Sequence, residues 1–138
     1  MSNIVENREI AGQLLGCLIQ EPTLIINAEK TVTHEDFAFA GHKILFGVLQ
    51  NLYMNGIVDI NINEIANYVD TQPSTKTMFD HFKCMELYHN LPKNANIANY
   101  EYYFDITRKF TLLRELQKYN FDISHWYVPS QQLLDFEL

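Results

Sequence analysis

The sequence predicts an all-α fold, and three observations lead to this prediction. The 138 residues include only five glycines and four prolines, and turn-rich β architectures need more of both. Apolar residues recur at helical spacing along most of the chain. Residues that cap helix starts stand before several of these stretches. With 47% apolar and 20% charged residues, the chain is expected to fold around a core rather than to be disordered.

Two helices are predicted near the amino terminus. The first runs from Arg8 to Gln20, where one stripe of apolar residues is formed by Ile10, Leu14, Cys17 and Leu18. Pro22 ends it and opens a short second helix over 22–28. Gly12 and Gly16 give the first helix a small-residue face. Since this helix is too short and too polar to span a membrane, we expect that face to pack closely against a neighbouring element.

Five further signals divide the middle of the chain. Thr33 and Asp36 resemble a capping box that starts a brief turn, and Asn55-Gly56 ends a strong helix over 41–54. Asn61 caps a helix that ends near Asp70. A loop is predicted over 71–75, followed by one helix over 76–90 and a break over 91–96 that contains Pro92.

The last predicted helix is much longer than the others. Residues 97–126 contain neither glycine nor proline, and a helix of this length would measure roughly 45 Å. Such a rod usually packs against a partner helix outside its own domain. Pro129 ends it, and Ser130 is predicted to cap a truncated return helix. We therefore divide the chain into a globular helical domain, residues 1–94, and a long helix with the start of a helical hairpin, residues 95–138.

The apolar side chains of the long helix are the predicted interaction site. They recur at near-heptad spacing, with Leu116 one residue short of the ideal. The predicted interface consists of Ile97, Tyr100, Tyr103, Phe104, Phe110, Leu113 and Leu116. Three interpretations of the aromatic cluster 100–110 stay open: a protein interface, the domain's own core, and stacking of single-stranded bases. Few basic residues lie nearby, which disfavours base stacking, and the interface is favoured because Tyr and Phe are enriched in interface cores.

The sequence offers no catalytic, cofactor-binding or metal-binding residues. No phosphate-binding P-loop motif is present. His34 and His42 are eight residues apart, as are His81 and His89, whereas a helical metal site needs a spacing of three or four. Glu101 and Asp105 are interpreted as solvated salt-bridge positions. Cys17 and Cys84 are expected to be buried, reduced thiols.

Charge and hydropathy limit the partners. The net charge of -7 opposes direct nucleic-acid binding, which depends on an excess of lysine and arginine. No apolar stretch approaches the length of a membrane span, and no signal peptide precedes the first helix. The sequence therefore predicts a cytoplasmic protein that binds other proteins.

The order of several short motifs resembles the amino-terminal domain of the replicative DNA helicases of bacteria and phages, the DnaB family. The resemblance covers roughly residues 7–136 and is carried by Glu9, Leu14-Leu15-Gly16-x-Leu18, Asp36-Phe37, His42-x-Ile44-x-Phe46, Leu52-x-x-x-Gly56-x-x-Asp59, Ala95-Asn96-Ile97-x-x-Tyr100 and Leu112-Leu113-Arg114-Glu115-Leu116. It implies a six-helix globule followed by a helical hairpin. Ser74-Thr75-Lys76-Thr77 stands where the family often has Gly-Gly, which indicates a divergent, phage-like or mobile-element branch.

The resemblance also implies a function. In the family, hairpins pair between subunits, and six such domains form a non-catalytic collar that receives primase and, in some systems, a helicase loader. ATP and Mg²⁺ would be needed only by a motor domain that these residues lack, in a full-length ATP-dependent 5'-3' helicase. We expect the chain to be such a collar domain. The alternatives are a stand-alone phage or mobile-element adaptor that mimics the collar, and a small enzyme or nucleic-acid binder of unrecognised type.

Overall fold

A computed structural model describes residues 6–27 and 29–119, together with the backbone of two short paired segments, 127–128 and 132–133. Its α-helices are α1 (Arg8–Gln20), α2 (Ala40–Met54), α3 (Ile62–Asp70), α4 (Pro73–His81), α5 (Cys84–Asn90) and α6 (Tyr100–Lys118). Single 3₁₀ turns cover Pro22–Ile26, His34–Asp36, Leu91–Asn94 and Ile97–Asn99. The predicted all-α fold with six helices is confirmed. The short helix predicted after Pro22 is a 3₁₀ turn.

Capping residues and a glycine that are recognisable in the sequence set several of the helix ends. The Asn7 side chain accepts a hydrogen bond from the backbone N–H of Ile10, and the Asn61 side chain accepts one from that of Glu64. The carboxylate of Asp36 accepts a bond of 2.8 Å from the backbone N–H of Thr33, as in a capping box. Gly56 ends the turn after α2 at φ +94°, a conformation that glycine adopts without strain.

The predicted helix over 76–90 is wrong in two respects. The segment forms α4 and α5 instead, and α4 begins within the predicted loop because Pro73 occupies its first turn. Proline suits that position since the N–H it lacks would have no partner there. The two helices separate at Lys83, which has φ 54° and ψ 46°. No glycine or proline marks this break.

We predict that the Lys83→Gly variant is more stable than the wild type by about 0.5–1 kcal/mol, because glycine avoids the left-handed strain of an L side chain. Chemical denaturation monitored by circular dichroism measures the change. Lys93→Gly is the matched control, since Lys93 is exposed and has negative φ. That control should lose stability. An equal loss in both variants would contradict the assignment of strain to Lys83.

The long helix is shorter than predicted. α6 has 19 residues and measures about 28 Å, since it begins after a 3₁₀ turn and ends at Lys118 rather than near 126. Residues 120–126 lie outside the described residues, as does Ser130. The predicted return helix is wrong where the structure describes it. Strands β1 (Tyr127–Val128) and β2 (Gln132–Leu133) pair antiparallel there, across a connection that contains Pro129. Tyr and Val favour extended backbone, which is consistent with this pairing.

Helix α1 is the centre of the core. It packs against α2, against α6 and against the 3₁₀ turn Leu91–Asn94. Its fully buried side chains are Leu14, Leu15, Cys17 and Leu18, and they meet Phe37 and Phe46 from the segment around α2. The predicted close packing of the small-residue face is confirmed, because Gly12 and Gly16 both lie against Leu91. The division at residues 94 and 95 stays a prediction, and α6 packs directly against α1.

Candidate protein-interaction surface on the last helix

The seven residues of the predicted interface do not share one exposed face. Tyr100, Tyr103 and Phe104 lie in the main core, each 5–6% exposed. Phe110 and Leu113 are also buried. Ile97 is 40% exposed, and Leu116 is half-buried. Most of the seven residues therefore belong to the domain's own core, which is one of the three interpretations that the sequence left open. Only Ile97 and Leu116 are accessible to a partner while α6 stays on α1.

Polar contacts hold the buried aromatic residues in place. The Tyr100 hydroxyl donates a hydrogen bond of 2.7 Å to the carbonyl oxygen of Lys30. The Tyr103 hydroxyl accepts one from the backbone N–H of Asn96. Burial raises the pKa of Tyr100 to about 12. These hydroxyls satisfy the polar ends of side chains whose rings face the core, as buried tyrosines require.

A buried carboxylate joins α6 to the 3₁₀ turn His34–Asp36. The Asp36 side chain is 1% exposed and accepts bonds from Arg108 Nε at 2.9 Å and Arg108 Nη2 at 2.8 Å. It also accepts a hydrogen bond of 2.7 Å from the Thr111 hydroxyl, in addition to the one from the Thr33 N–H. The Arg108 guanidinium lies over the Phe104 ring and also donates to the carbonyl oxygen of Thr31. We call Asp36, Arg108 and Thr111 the carboxylate clamp.

The clamp shifts the acid–base equilibria of its members. Burial acts to raise the pKa of Asp36, but the hydrogen bonds from Arg108, Thr33 and Thr111 outweigh it, and the pKa lies below its usual range. The same hydrogen bond raises the pKa of Arg108. Asp36 is therefore ionised at neutral pH. Since breaking a buried ion pair is costly, the clamp fixes the position of α6 on the domain.

The outward face of α6 carries an exposed apolar stripe. Tyr102, Leu112 and Tyr119 are 60%, 41% and 72% exposed, and Leu116 lies between the last two. We call these four residues the outer stripe. Leu112, Leu116 and Tyr119 follow one another at spacings of four and three residues, which places them on one side of the carboxyl-terminal end of the helix. Tyr102 lies ten residues before Leu112, near the other end of α6. Exposed apolar residues that are aligned along a helix mark a surface for another helix more often than scattered ones do.

The charged residues of α6 are mixed in sign, with Glu101, Asp105 and Glu115 among Arg108, Lys109, Arg114 and Lys118. Lys118 pairs with Glu115 at 3.2 Å, and Asp105 pairs with Lys30 at 2.8 Å. The predicted solvated role of Asp105 is consistent with its 52% exposed side chain. Base stacking on single strands needs unpaired positive charge beside the aromatic rings. The described part of α6 therefore suits a protein partner better than a nucleic acid.

The thiols and histidines that the sequence singled out occupy mostly structural positions. Cys17 and Cys84 are buried, as predicted, and burial raises the pKa of both thiols to about 11, which leaves them protonated. His42 is also buried, where burial and the charge of Arg8 lower its pKa to about 4. Among residues 6–27 and 29–119, no three His, Cys, Asp or Glu side chains come together as metal ligands. Within the same residues, no helix combines the length and the apolar character of a membrane span.

The carboxylate clamp was not predicted from the sequence. In the sequence, Asp36 belongs to a helix start and to the Asp36-Phe37 motif of the family resemblance, and nothing pairs it with Arg108. They lie 72 residues apart, and no local pattern reports such a contact. The sequence signal was limited to the presence of a carboxylate in a capping position before a buried phenylalanine.

Residues 4–108 match the family model of the DnaB-like helicase N terminal domain. The chain is also similar to the SPbeta prophage-derived uncharacterized protein YorI of Bacillus subtilis (strain 168), with 29% identity over 128 residues. That alignment covers 92% of this chain and 25% of the relative, so the chain spans about a quarter of the relative's length. No solved structure matches the chain.

Proposed function

Because the chain belongs to the DnaB-like helicase N-terminal domain family, we propose that it is a collar domain that assembles the subunits of a hexameric replicative DNA helicase. The domain of this family is non-catalytic. The observation that carries the assembly role is the outer stripe of α6, an exposed apolar surface on a helix that the carboxylate clamp holds rigidly. A fixed helix loses little conformational freedom when a second helix packs on it.

The proposed self-association differs from the sequence prediction in its residues. Tyr102, Leu112, Leu116 and Tyr119 replace the buried residues of the predicted interface, and Ile97 lies at the amino-terminal end of the same region. Pairing would bury the stripe between two copies of α6. Primase, and a loader where one exists, would then bind the assembled collar, in keeping with the resemblance to the family.

In this proposal, the motor activity is carried by a separate domain outside these 138 residues. The similar prophage protein is about four times as long as the region it shares with this chain, which supports a domain within a longer protein over a stand-alone adaptor. ATP and Mg²⁺ would be bound by the motor domain. With a net charge of -7, the collar itself would contact DNA weakly, and proteins would be its partners.

We predict that Leu112→Glu weakens self-association by at least about tenfold, because a carboxylate at the centre of the stripe would be buried without a partner. Light scattering coupled to size-exclusion chromatography, over a range of concentrations, measures the effect. Since Leu112 is 41% exposed, the fold should be retained, and circular dichroism checks this.

The matched control is Val58→Glu, which places the same carboxylate on an exposed aliphatic position between α2 and α3. This variant should associate like the wild type. Equal weakening by both substitutions would point to a general charge effect. An unaffected Leu112→Glu variant would remove the outer stripe as the assembly surface.

A further inference from the structure

A groove lies on the side of the domain formed by α2, α3 and α4, separate from the outer stripe. It encloses about 400 Å³, within the range of sites that hold small ligands or the anchoring side chains of a peptide. One wall is a single face of α2, and the other is formed by α3 and α4. The proposed self-association does not use this groove.

The floor of the groove is apolar and open. Ile44 and Tyr68 are half-buried, and Met78 is 43% exposed at one wall. Gly47 lies on the groove side of α2, one turn after Ile44. A Cβ placed there would meet only the His34 ring, 3.2 Å away. The missing side chain deepens the groove at its centre. Methionine adapts its shape to different partners, which suits a binding surface.

The lining of the groove includes a lysine and no acidic residue, although the protein is acidic and has 17 Asp and Glu residues. Lys43 projects at the rim and forms no ion pair within the described residues. Ser74 and Thr75 line the opposite wall in the first turn of α4, which has no side-chain cap. The positive end of the helix dipole therefore faces the same space as Lys43.

We propose that this groove binds an apolar helical segment of a partner protein that carries carboxylates beside its anchoring side chains. Anchors spaced at i and i+4 would fill the floor over Gly47, as amphipathic helices do in other grooves. The flanking carboxylates would face Lys43 and the first turn of α4.

The test uses the full chain, labelled with ¹⁵N, and a short synthetic amphipathic helix with leucines at i and i+4 and glutamates between them. A second peptide has lysine at every glutamate position. The acidic peptide should shift the amide signals of residues 43–51 and 68–78 saturably, and the basic peptide should bind at least about tenfold more weakly. Lys43→Glu should weaken binding of the acidic peptide about tenfold, and Gly47→Leu should block its binding.

Two variants serve as controls. Lys93→Glu makes the same charge change as Lys43→Glu on a residue that does not line the groove, and it should bind like the wild type. Gly47→Leu favours the helix, and the Cβ at this position meets only the exposed His34 ring, so the fold should persist.

Three results would overturn the proposal. The first is equal weakening by Lys43→Glu and Lys93→Glu. The second is a set of shifts on other faces, or the absence of shifts. The third is perturbation of the groove amides by protein concentration alone, which would make a second copy the occupant. Self-association through the outer stripe is measured separately with Leu112→Glu, so each proposal can fail without the other.

Discussion

The Asp36→Ala variant is expected to lose about 3 kcal/mol of unfolding free energy, the largest effect that we predict. Asp36 accepts five hydrogen bonds in a buried position, and its removal takes an acceptor from Arg108, from Thr111 and from the N–H and hydroxyl of Thr33. The Arg108 side chain is 35% exposed, so water replaces part of the loss and the effect falls at the lower end for broken buried ion pairs. Urea denaturation followed by circular dichroism measures it.

Asp105→Ala is the control for this prediction. Asp105 forms an ion pair with Lys30 at 2.8 Å, but its side chain is 52% exposed, and such pairs contribute less than about 1 kcal/mol. If both variants lose the same stability, the carboxylate clamp does not hold α6 in place. A loss of helix content limited to α6 in Asp36→Ala would support the clamp most strongly.

The lowered pKa of Asp36 predicts how the clamp responds to acid. An aspartate in the unfolded chain has a pKa of about 3.9. In the folded protein the pKa of Asp36 lies below its usual range. Its contribution is therefore present above the unfolded value and is lost as the pH falls through the folded pKa. Asp36→Asn should reduce the acid-dependent loss of stability below about pH 4.

Gly16→Ala is expected to lower the unfolding free energy by about 2 kcal/mol, the second large effect. A Cβ at this position would lie 2.6 Å from the carbonyl oxygen of Leu91 and 2.8 Å from Cβ of Ala95. Backbone cannot move away as easily as a side chain, so the two elements must separate. The gain of up to about 1 kcal/mol from the better helix propensity of alanine offsets only part of this cost.

Gly12→Ala, one turn earlier on the same face, is the matched control. Its new methyl would lie 3.1 Å from Cδ2 of Leu91, the end of a flexible side chain that can shift. The propensity gain and the small clash should nearly cancel, and stability should stay within about 0.5 kcal/mol of the wild type. Thermal unfolding of both variants distinguishes them. Equal stability of the two would contradict the close approach of Leu91 to Gly16.

Much of the fold could be predicted because its signals are local. Asn61 caps α3 through its own side chain, and Gly56 ends the preceding turn because of its backbone freedom. The apolar stripe of α1 has the period of a helix and faces the core. Such features depend on residues within one or two turns of each other, and the sequence contains all of them.

The errors arose where a local signal has two meanings. Pro73 suits either a loop or the first turn of a helix, and here it starts α4. The separation of α4 from α5 occurs at Lys83, where no glycine or proline is present. No breaker residue marks the end of α6 at Lys118 either. In each case the local sequence permits more than one conformation, and its pattern does not choose between them.

The candidate site was harder to predict than the fold for a related reason. A near-heptad repeat such as Tyr100, Phe104 and Phe110 shows that one face of α6 is apolar, but helix α1 of the same chain can bury that face as well as a partner can. The outer stripe was not recognised because Tyr102, Leu112 and Tyr119 are separated by charged residues. Only the packing of α6 shows which apolar residues remain exposed.

The central claim is that this domain assembles with copies of itself, and sedimentation equilibrium of the wild-type chain tests it most directly. The claim predicts a mass that rises with concentration from 16.2 kDa for the single chain toward a dimer or a larger ring. A mass that stays at 16.2 kDa up to the highest soluble concentration would contradict it.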